Sequence, residues 1–165
     1  MKSFNSSSEA LSRVTLRNPI HFFALGLGSG LLHPAPGTWG SFVAVIIGAF
    51  LLSFMGNTAF LIFTVASFFI GIYFCQKTSD DMGVHDHGAI VWDEFVAVWL
   101  VLLTVPAINW QWCLIAFVIF RLFDILKPFP IRYFDNKLES GFGIMIDDVL
   151  AAIYSIMVIW FIHQY

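Results

Sequence analysis

The chain has 165 residues, of which 59% are hydrophobic and 12% are charged, with a formal net charge of −3. A soluble domain has about 25% charged residues, so this composition cannot cover a water-exposed surface and instead fits a lipid environment. Nucleic-acid binding requires a basic face, which a slightly acidic chain of this kind does not supply. The length suits one domain.

The N-terminal part of the chain divides into a polar and an apolar stretch. Residues 1–18 are polar and rich in serine, and they lack the apolar stretch of a signal peptide. We expect a flexible polar segment there, followed by a single helical membrane domain at residues 19–165. Residues 20–32 are apolar but number only thirteen, too few to span a bilayer. They are predicted to form a re-entrant or interfacial helix.

Asp, Glu, Lys and Arg are absent from residues 18–76, 95–120 and 149–165, and turn residues divide the apolar stretches. They predict helices at 41–55, 58–75, 95–105, 108–123 and 146–162, with turns at Gly56-Asn57 and Pro106. Strand-like alternation is missing, which disfavours a barrel. The predicted fold class is all-α: a compact helical integral membrane protein with about four to five short transmembrane helices plus the N-terminal re-entrant or interfacial helix.

Folding these helices as hairpins brings the polar loops to one membrane face. The loops at 33–40, 76–94 and 124–147 fall on one side, and they carry most of the Lys and Arg residues that follow the N-terminal segment. The positive-inside rule makes that side cytoplasmic.

Residues 33–41, with the sequence HPAPGTWGS, stand immediately before a predicted helix. Their glycines and prolines shape a turn, and the free amides at a helix start can bind an anion such as phosphate. Thr38 is the candidate binding residue. The alternative is a connector whose Thr38 or Ser41 caps the helix.

Acidic residues cluster in the next two polar loops. Asp86 lies between His85 and His87, and Asp93-Glu94 open an apolar helix. A cap needs only one acid, so an adjacent pair favours a divalent cation. Carboxylate oxygens suit magnesium better than zinc, and the histidine pair is a weak zinc signal.

Arg121, Asp124 and Lys127 are three residues apart and share one face of a helix that Pro128 ends. The cations can bind phosphate, while the acid can hold a metal or orient the arginine. The alternative is a salt bridge at the membrane surface, although ionisable groups at membrane depth are functional candidates. Asp147-Asp148 repeats the acidic pair before an apolar run, and both pairs could converge with Asp124 on one metal centre.

Four motifs carry a resemblance to a known family. The segments GLGSGLLHPAPGTWGS, DMGVHDHGAIVWDEF, FRLFDILKPFPIRYFD and GFGIMIDDVLA resemble bacterial phosphatidylglycerophosphatase A, in the same order and over almost the whole chain after residue 18. The resemblance implies a magnesium-dependent phosphatase of the inner membrane, with its site at the cytoplasmic face. It would convert the lipid phosphatidylglycerophosphate, its partner in the bilayer, into phosphatidylglycerol.

The matching positions define the expected site. The expected catalytic residues are Asp86, Asp93, Glu94, Asp124, Asp147 and Asp148, and all of these except Asp86 are expected to hold one or two Mg²⁺. Thr38, Arg121, Lys127 and Arg132 are expected to bind the substrate. Attack by a metal-activated water and a covalent aspartyl-phosphate both remain open, as does the oligomeric state. The rival reading is a membrane cation transporter or channel that uses the acidic pairs for translocation, but its charges should reach both faces.

Overall fold

The structure is a computed structural model that describes residues 2–135 and 137–164. The outer limits predicted for the two units, residues 1 and 165, lie outside the described residues. The described helices, in chain order, are α1 (Lys2–Ser12), α2 (Pro19–Ala24), a 3-10 helix (Gly26–Leu31), α3 (Pro36–Met82), α4 (Trp92–Leu102), α5 (Trp110–Leu126), α6 (Ile131–Asp135) and α7 (Gly141–Gln164). No strand occurs among these residues, and the predicted all-α class is confirmed.

Helix α3 is a hairpin of two arms, residues 36–55 and 57–82. Gly56 breaks the helix with φ 72° and ψ 165°, a backbone conformation that favours glycine. Trp99 contacts both arms: its indole N–H donates to the carbonyl of Ala44 at 3.0 Å, and its ring lies 5.3 Å from that of Phe63. In a straight helix these two partners would be about 28 Å apart. The predicted turn at Gly56-Asn57 is therefore confirmed.

Helix α4 is the central helix of the bundle. All its residues except Leu100 are buried. It lies between the two arms of α3, where Gly48 and Gly71 face the indole rings of Trp99 and Trp92. A Cβ atom at either glycine would lie within 2.6 Å of the facing ring, so these small residues allow the helices to pack closely.

Helices α5 and α7 run antiparallel to each other. The rings of Phe123 and Tyr154 stack at 5.4 Å near one end, and Trp112 meets His163 at 6.2 Å near the other. Asn109 caps the start of α5 by accepting the backbone N–H of Trp112 at 2.9 Å. The turn predicted around Pro106 therefore joins α4 to α5, and the polar starts of α4 and α7 come to the same end of the bundle as the finish of α5.

The outer surface of the bundle is apolar. Along the first arm of α3, Phe42, Ile46, Phe50 and Phe54 recur every fourth residue and are all exposed. Helices α3 and α7 each contain an 18-residue stretch apolar enough to cross a membrane, and only 28% of the α3 stretch is buried. A core helix of a soluble protein would be mostly buried. The α7 stretch is 50% buried, so α3 gives the stronger indication of a membrane protein, while the total of four to five spans stays a prediction.

The N-terminal region is broken into short elements. The apolar residues 20–32 form α2 and the 3-10 helix, interrupted at Leu27 and Gly28, where φ is 57° and 93°. This is an interrupted helix rather than a continuous one, and its depth in a membrane stays a prediction. The segment predicted to be flexible contains α1, in which Ala10 is buried. The boundary at residue 18 also stays a prediction.

Candidate active site

Three buried carboxylates meet at the polar end of the bundle. Asp93 comes from the start of α4, and Asp147 and Asp148 come from α7. Each offers an oxygen within 4.8 Å of the other two, and the residues are only 7%, 4% and 3% exposed. We call these three residues the acid cluster.

The acid cluster holds more negative charge than its neighbours compensate. Lys127 donates to Asp147 Oδ2 at 2.7 Å. Asp93 Oδ1 and Asp148 Oδ2 are buried and have no hydrogen-bond partner among the described residues. Burying unpaired carboxylate oxygens is costly, and a set of hard oxygen donors is what a divalent cation such as magnesium prefers. The donor set therefore fits a metal ion.

Helix capping does not account for these acids. Helix α7 begins at Gly141, so Asp147 and Asp148 lie near the end of its second turn, beyond the N–H groups that a cap would satisfy. The residue in the cap position of α4 is Val91, and no side chain forms a cap hydrogen bond there. The start predicted for the last helix, residue 146, was five residues late.

A second group surrounds Arg121 on α5. Its Nη1 lies 3.3 Å from Glu94 Oε1, 2.5 Å from Asp124 Oδ2 and 3.4 Å from the hydroxyl of Ser41. Ser41 donates to Glu94 Oε2 at 2.6 Å. We call these four residues the arginine group. Because both acids and the hydroxyl hold one guanidinium, the cation is fixed in position before any ligand arrives.

Gly37 explains part of the HPAPGTWGS sequence. A Cβ atom at this position would lie 2.4 Å from Glu94 Oε1 and 3.0 Å from Arg121 Nη1. Glycine in the first turn of α3 therefore leaves room for the ion pair. Thr38 follows it and is half-buried in the same turn.

Adjacent acids separate because a helix turns by about 100° per residue. Asp93 therefore joins the acid cluster, while its neighbour Glu94 joins the arginine group. Of the five predicted metal ligands, the structure brings Asp93, Asp147 and Asp148 together and places Glu94 and Asp124 on Arg121. The two groups are neighbours, since Asp148 interacts electrostatically with Glu94 and Asp124.

Asp86 and Arg132 lie outside both groups. Asp86 is exposed in the loop before α4, with φ 45°. It lines a pocket of about 390 Å³ together with His33 and His87, and it interacts electrostatically with Asp93. Arg132 is exposed on α6.

His87 has a structural environment. Its Nδ1 accepts the backbone N–H of Ala89 at 3.2 Å, and its Nε2 lies 2.8 Å from the hydroxyl of Ser7 on α1. Burial lowers the pKa of His87 below its usual value. Because both ring nitrogens already have hydrogen-bond partners, a structural role for His87 is favoured over zinc binding by the His85-His87 pair.

Two residues of the site escaped the sequence reasoning. Ser41 was considered only as a cap, yet it links Glu94 and Arg121. Gln76 accepts the backbone N–H of Gly141 at 2.6 Å and so fixes the start of the helix that carries two acids. The partners are 65 residues apart, and no sequence pattern signals such a contact.

Comparison with known proteins identifies relatives that cover nearly the whole chain. The family described as phosphatidylglycerophosphatase A matches residues 22–163. Phosphatidylglycerophosphatase A of Haemophilus influenzae is 61% identical over 97% of this chain and 98% of its own length. Phosphatidylglycerophosphatase A of Escherichia coli is 45% identical over 94% and 90%. A putative phosphatidylinositol-3-phosphatase of Bacteroides thetaiotaomicron is 42% identical over 81% and 87%. No solved structure matches the chain.

Proposed function

The chain belongs to the phosphatidylglycerophosphatase A family, and on this premise we propose that it hydrolyses the terminal phosphate monoester of phosphatidylglycerophosphate. The products are phosphatidylglycerol and phosphate. The observation that carries the proposal is the buried acid cluster beside the arginine group, at one end of an apolar helical bundle. Nothing among the described residues favours the transporter alternative.

The resident metal in this proposal is Mg²⁺. Asp93, Asp147 and Asp148 would hold it, with Glu94 and Asp124 as further ligands or as supports for the cation beside it. The two unpartnered carboxylate oxygens and the all-oxygen donor set support this assignment. When bound, the ion supplies positive charge against the phosphate oxygens.

The residues of the chain supply the remaining chemistry. Arg121 and Lys127 stabilise negative charge on the phosphoryl oxygens, and the amides near Thr38 bind another oxygen. A carboxylate of the acid cluster accepts the proton of the attacking water. As the water oxygen bonds to phosphorus, the bond to the glycerol oxygen breaks, and that oxygen takes up the proton that the carboxylate accepted. Asp86 lines the neighbouring pocket and contacts the head group of the substrate from there.

We propose that the enzyme is a multi-pass protein of the bacterial inner membrane with its site at the cytoplasmic face. Four to five short helices cross the bilayer in this arrangement. The collection of charge at one end of the bundle supports it, since such a protein needs to bind only the head group while the acyl chains stay in lipid. The positive-inside rule gives the orientation.

Phosphate release from purified protein tests this function. The protein should release phosphate from phosphatidylglycerophosphate, lose activity in excess EDTA and regain it with Mg²⁺. Phosphatidylinositol 3-phosphate is the informative second substrate, because the Bacteroides relative is named for that head group. We expect slower release from it. Full activity in EDTA would contradict the metal assignment, and a preference for the inositol lipid would contradict the substrate assignment.

A further inference from the structure

A pocket of about 450 Å³ lies between the end of α5 and α6, outside the acid cluster. Its lining combines two cations, Lys127 and Arg132, with the apolar or aromatic side chains of Leu126, Phe129 and Tyr133. A phospholipid carries the complementary groups, an anionic phosphate next to acyl chains.

The pocket is continuous with the candidate active site through one side chain. Lys127 lines the pocket, and its ammonium group also donates to Asp147 Oδ2 at 2.7 Å. A ligand that fills the pocket therefore reaches the edge of the acid cluster. In the proposed substrate a single glycerol separates the terminal phosphate from the phosphodiester, so the diester must bind immediately beside the acids.

The apolar edge of the pocket points away from the protein and is held there. Phe129 is 82% exposed and Leu126 is 60% exposed. The segment that carries Phe129 is fixed on both sides, because its carbonyl accepts the hydroxyl of Tyr154 at 2.9 Å and Ile131 is fully buried. Large apolar side chains held in this way are unfavourable in water and favourable against lipid.

Resting on the proposed function, we propose that this pocket is the lateral entrance for the lipid substrate. Arg132 binds the phosphodiester by charge complementarity, and Lys127 lies between the diester and the terminal phosphate, whose charge it stabilises. Leu126 and Phe129 support the first segments of the acyl chains, which remain in the bilayer. The terminal phosphate then extends past Lys127 into the acid cluster. The pocket thus selects a membrane lipid over a water-soluble phosphate ester.

The test compares two substrates, long-chain phosphatidylglycerophosphate in mixed micelles and a monomeric short-chain analogue with the same head group. Phe129→Ser should lower the ratio of long-chain to short-chain kcat/KM about tenfold, mainly through KM, because an apolar contact with the acyl chains is lost. The Phe129→Leu variant, which keeps an apolar side chain, should keep most of the wild-type ratio. Arg132→Gln should lower kcat/KM for both substrates, since both contain the diester.

Phe54→Ser is the matched control, because Phe54 is 77% exposed but lies near Gly56 at the opposite end of the bundle. Its kinetics should equal those of the wild type. An unchanged ratio in Phe129→Ser, or an equal change in Phe54→Ser, overturns the inference while the proposed function stands. If the wild type releases no phosphate from either substrate, the proposed function itself fails, and the inference with it.

Discussion

Replacing Asp148 by asparagine separates a metal ligand from a structural acid. Asp148 Oδ2 is buried without a hydrogen-bond partner among the described residues, so the substitution breaks no described contact of that oxygen. Its position inside α7 excludes a capping role. The change removes one negative charge and leaves the shape of the side chain almost unaltered.

The size of the effect follows from the distances in the acid cluster. Two carboxylates within 4.8 Å repel each other by about 3–4 kcal/mol at an effective dielectric constant of about 20. Asp148 takes part in two such pairs, which gives an upper limit of about 7 kcal/mol, before the protein relaxes, before proton uptake neutralises part of the charge and before Lys127 offsets part of it. Even a small fraction of this repulsion is measurable. Without a divalent cation, the Asp148→Asn variant should therefore be at least as stable as the wild type.

The assay measures phosphate release and thermal unfolding together, each in EDTA and in Mg²⁺. Turnover in Mg²⁺ should fall by at least about 100-fold, since even outer partners of a metal site contribute 10- to 100-fold. In EDTA, the unfolding temperature of the Asp148→Asn variant should be a few degrees higher than that of the wild type. Addition of Mg²⁺ should stabilise the wild type more than the variant, because binding to the folded state adds to its stability.

Glu139→Gln is the control, because Glu139 is exposed and belongs to neither group. It should retain activity and the stabilisation by Mg²⁺. Asp148 is not a metal ligand if the Asp148→Asn variant keeps more than half of the wild-type turnover in Mg²⁺. The same conclusion follows if the variant loses activity only because it unfolds in Mg²⁺.

Three further predictions concern the contact at Gly37, the two free thiols and the topology. Gly37→Ala should lose about tenfold in kcat, because the added methyl group displaces the Glu94 carboxylate and the Arg121 guanidinium from the positions in which they hold each other. Unchanged kinetics would show that the pair does not need its present position. A variant with serine at both Cys75 and Cys113, which are free thiols, should keep its activity. In that background, a cysteine at exposed Asn57 should react with a membrane-impermeant label in intact cells, whereas one at exposed His85 should react only after lysis; the reverse pattern would invert the proposed orientation.

The helical composition and the order of the apolar segments were readable from the sequence. Runs without charge require helices when the surroundings are lipid, and Gly56 and Pro106 mark turns by their backbone chemistry alone. The resemblance to the phosphatidylglycerophosphatase A family rests on the same local patterns, and the comparisons confirm it. Helix ends were less predictable. The last helix starts at Gly141 because Gln76, 65 residues away in the chain, accepts the backbone N–H of that residue.

The sequence by itself determined which residue types the site contains. These are paired acids, two phosphate-binding cations and a glycine-rich turn, which a bundle of antiparallel helices brings to one end. The tertiary structure decided which acid meets which partner. Asp93 and Glu94 are neighbours in the chain, yet the rotation of the helix directs one to the acid cluster and the other to Arg121 and Ser41. Such contacts join residues 27 to 55 positions apart in the chain, and their geometry depends on how closely the helices pack, which local sequence does not encode.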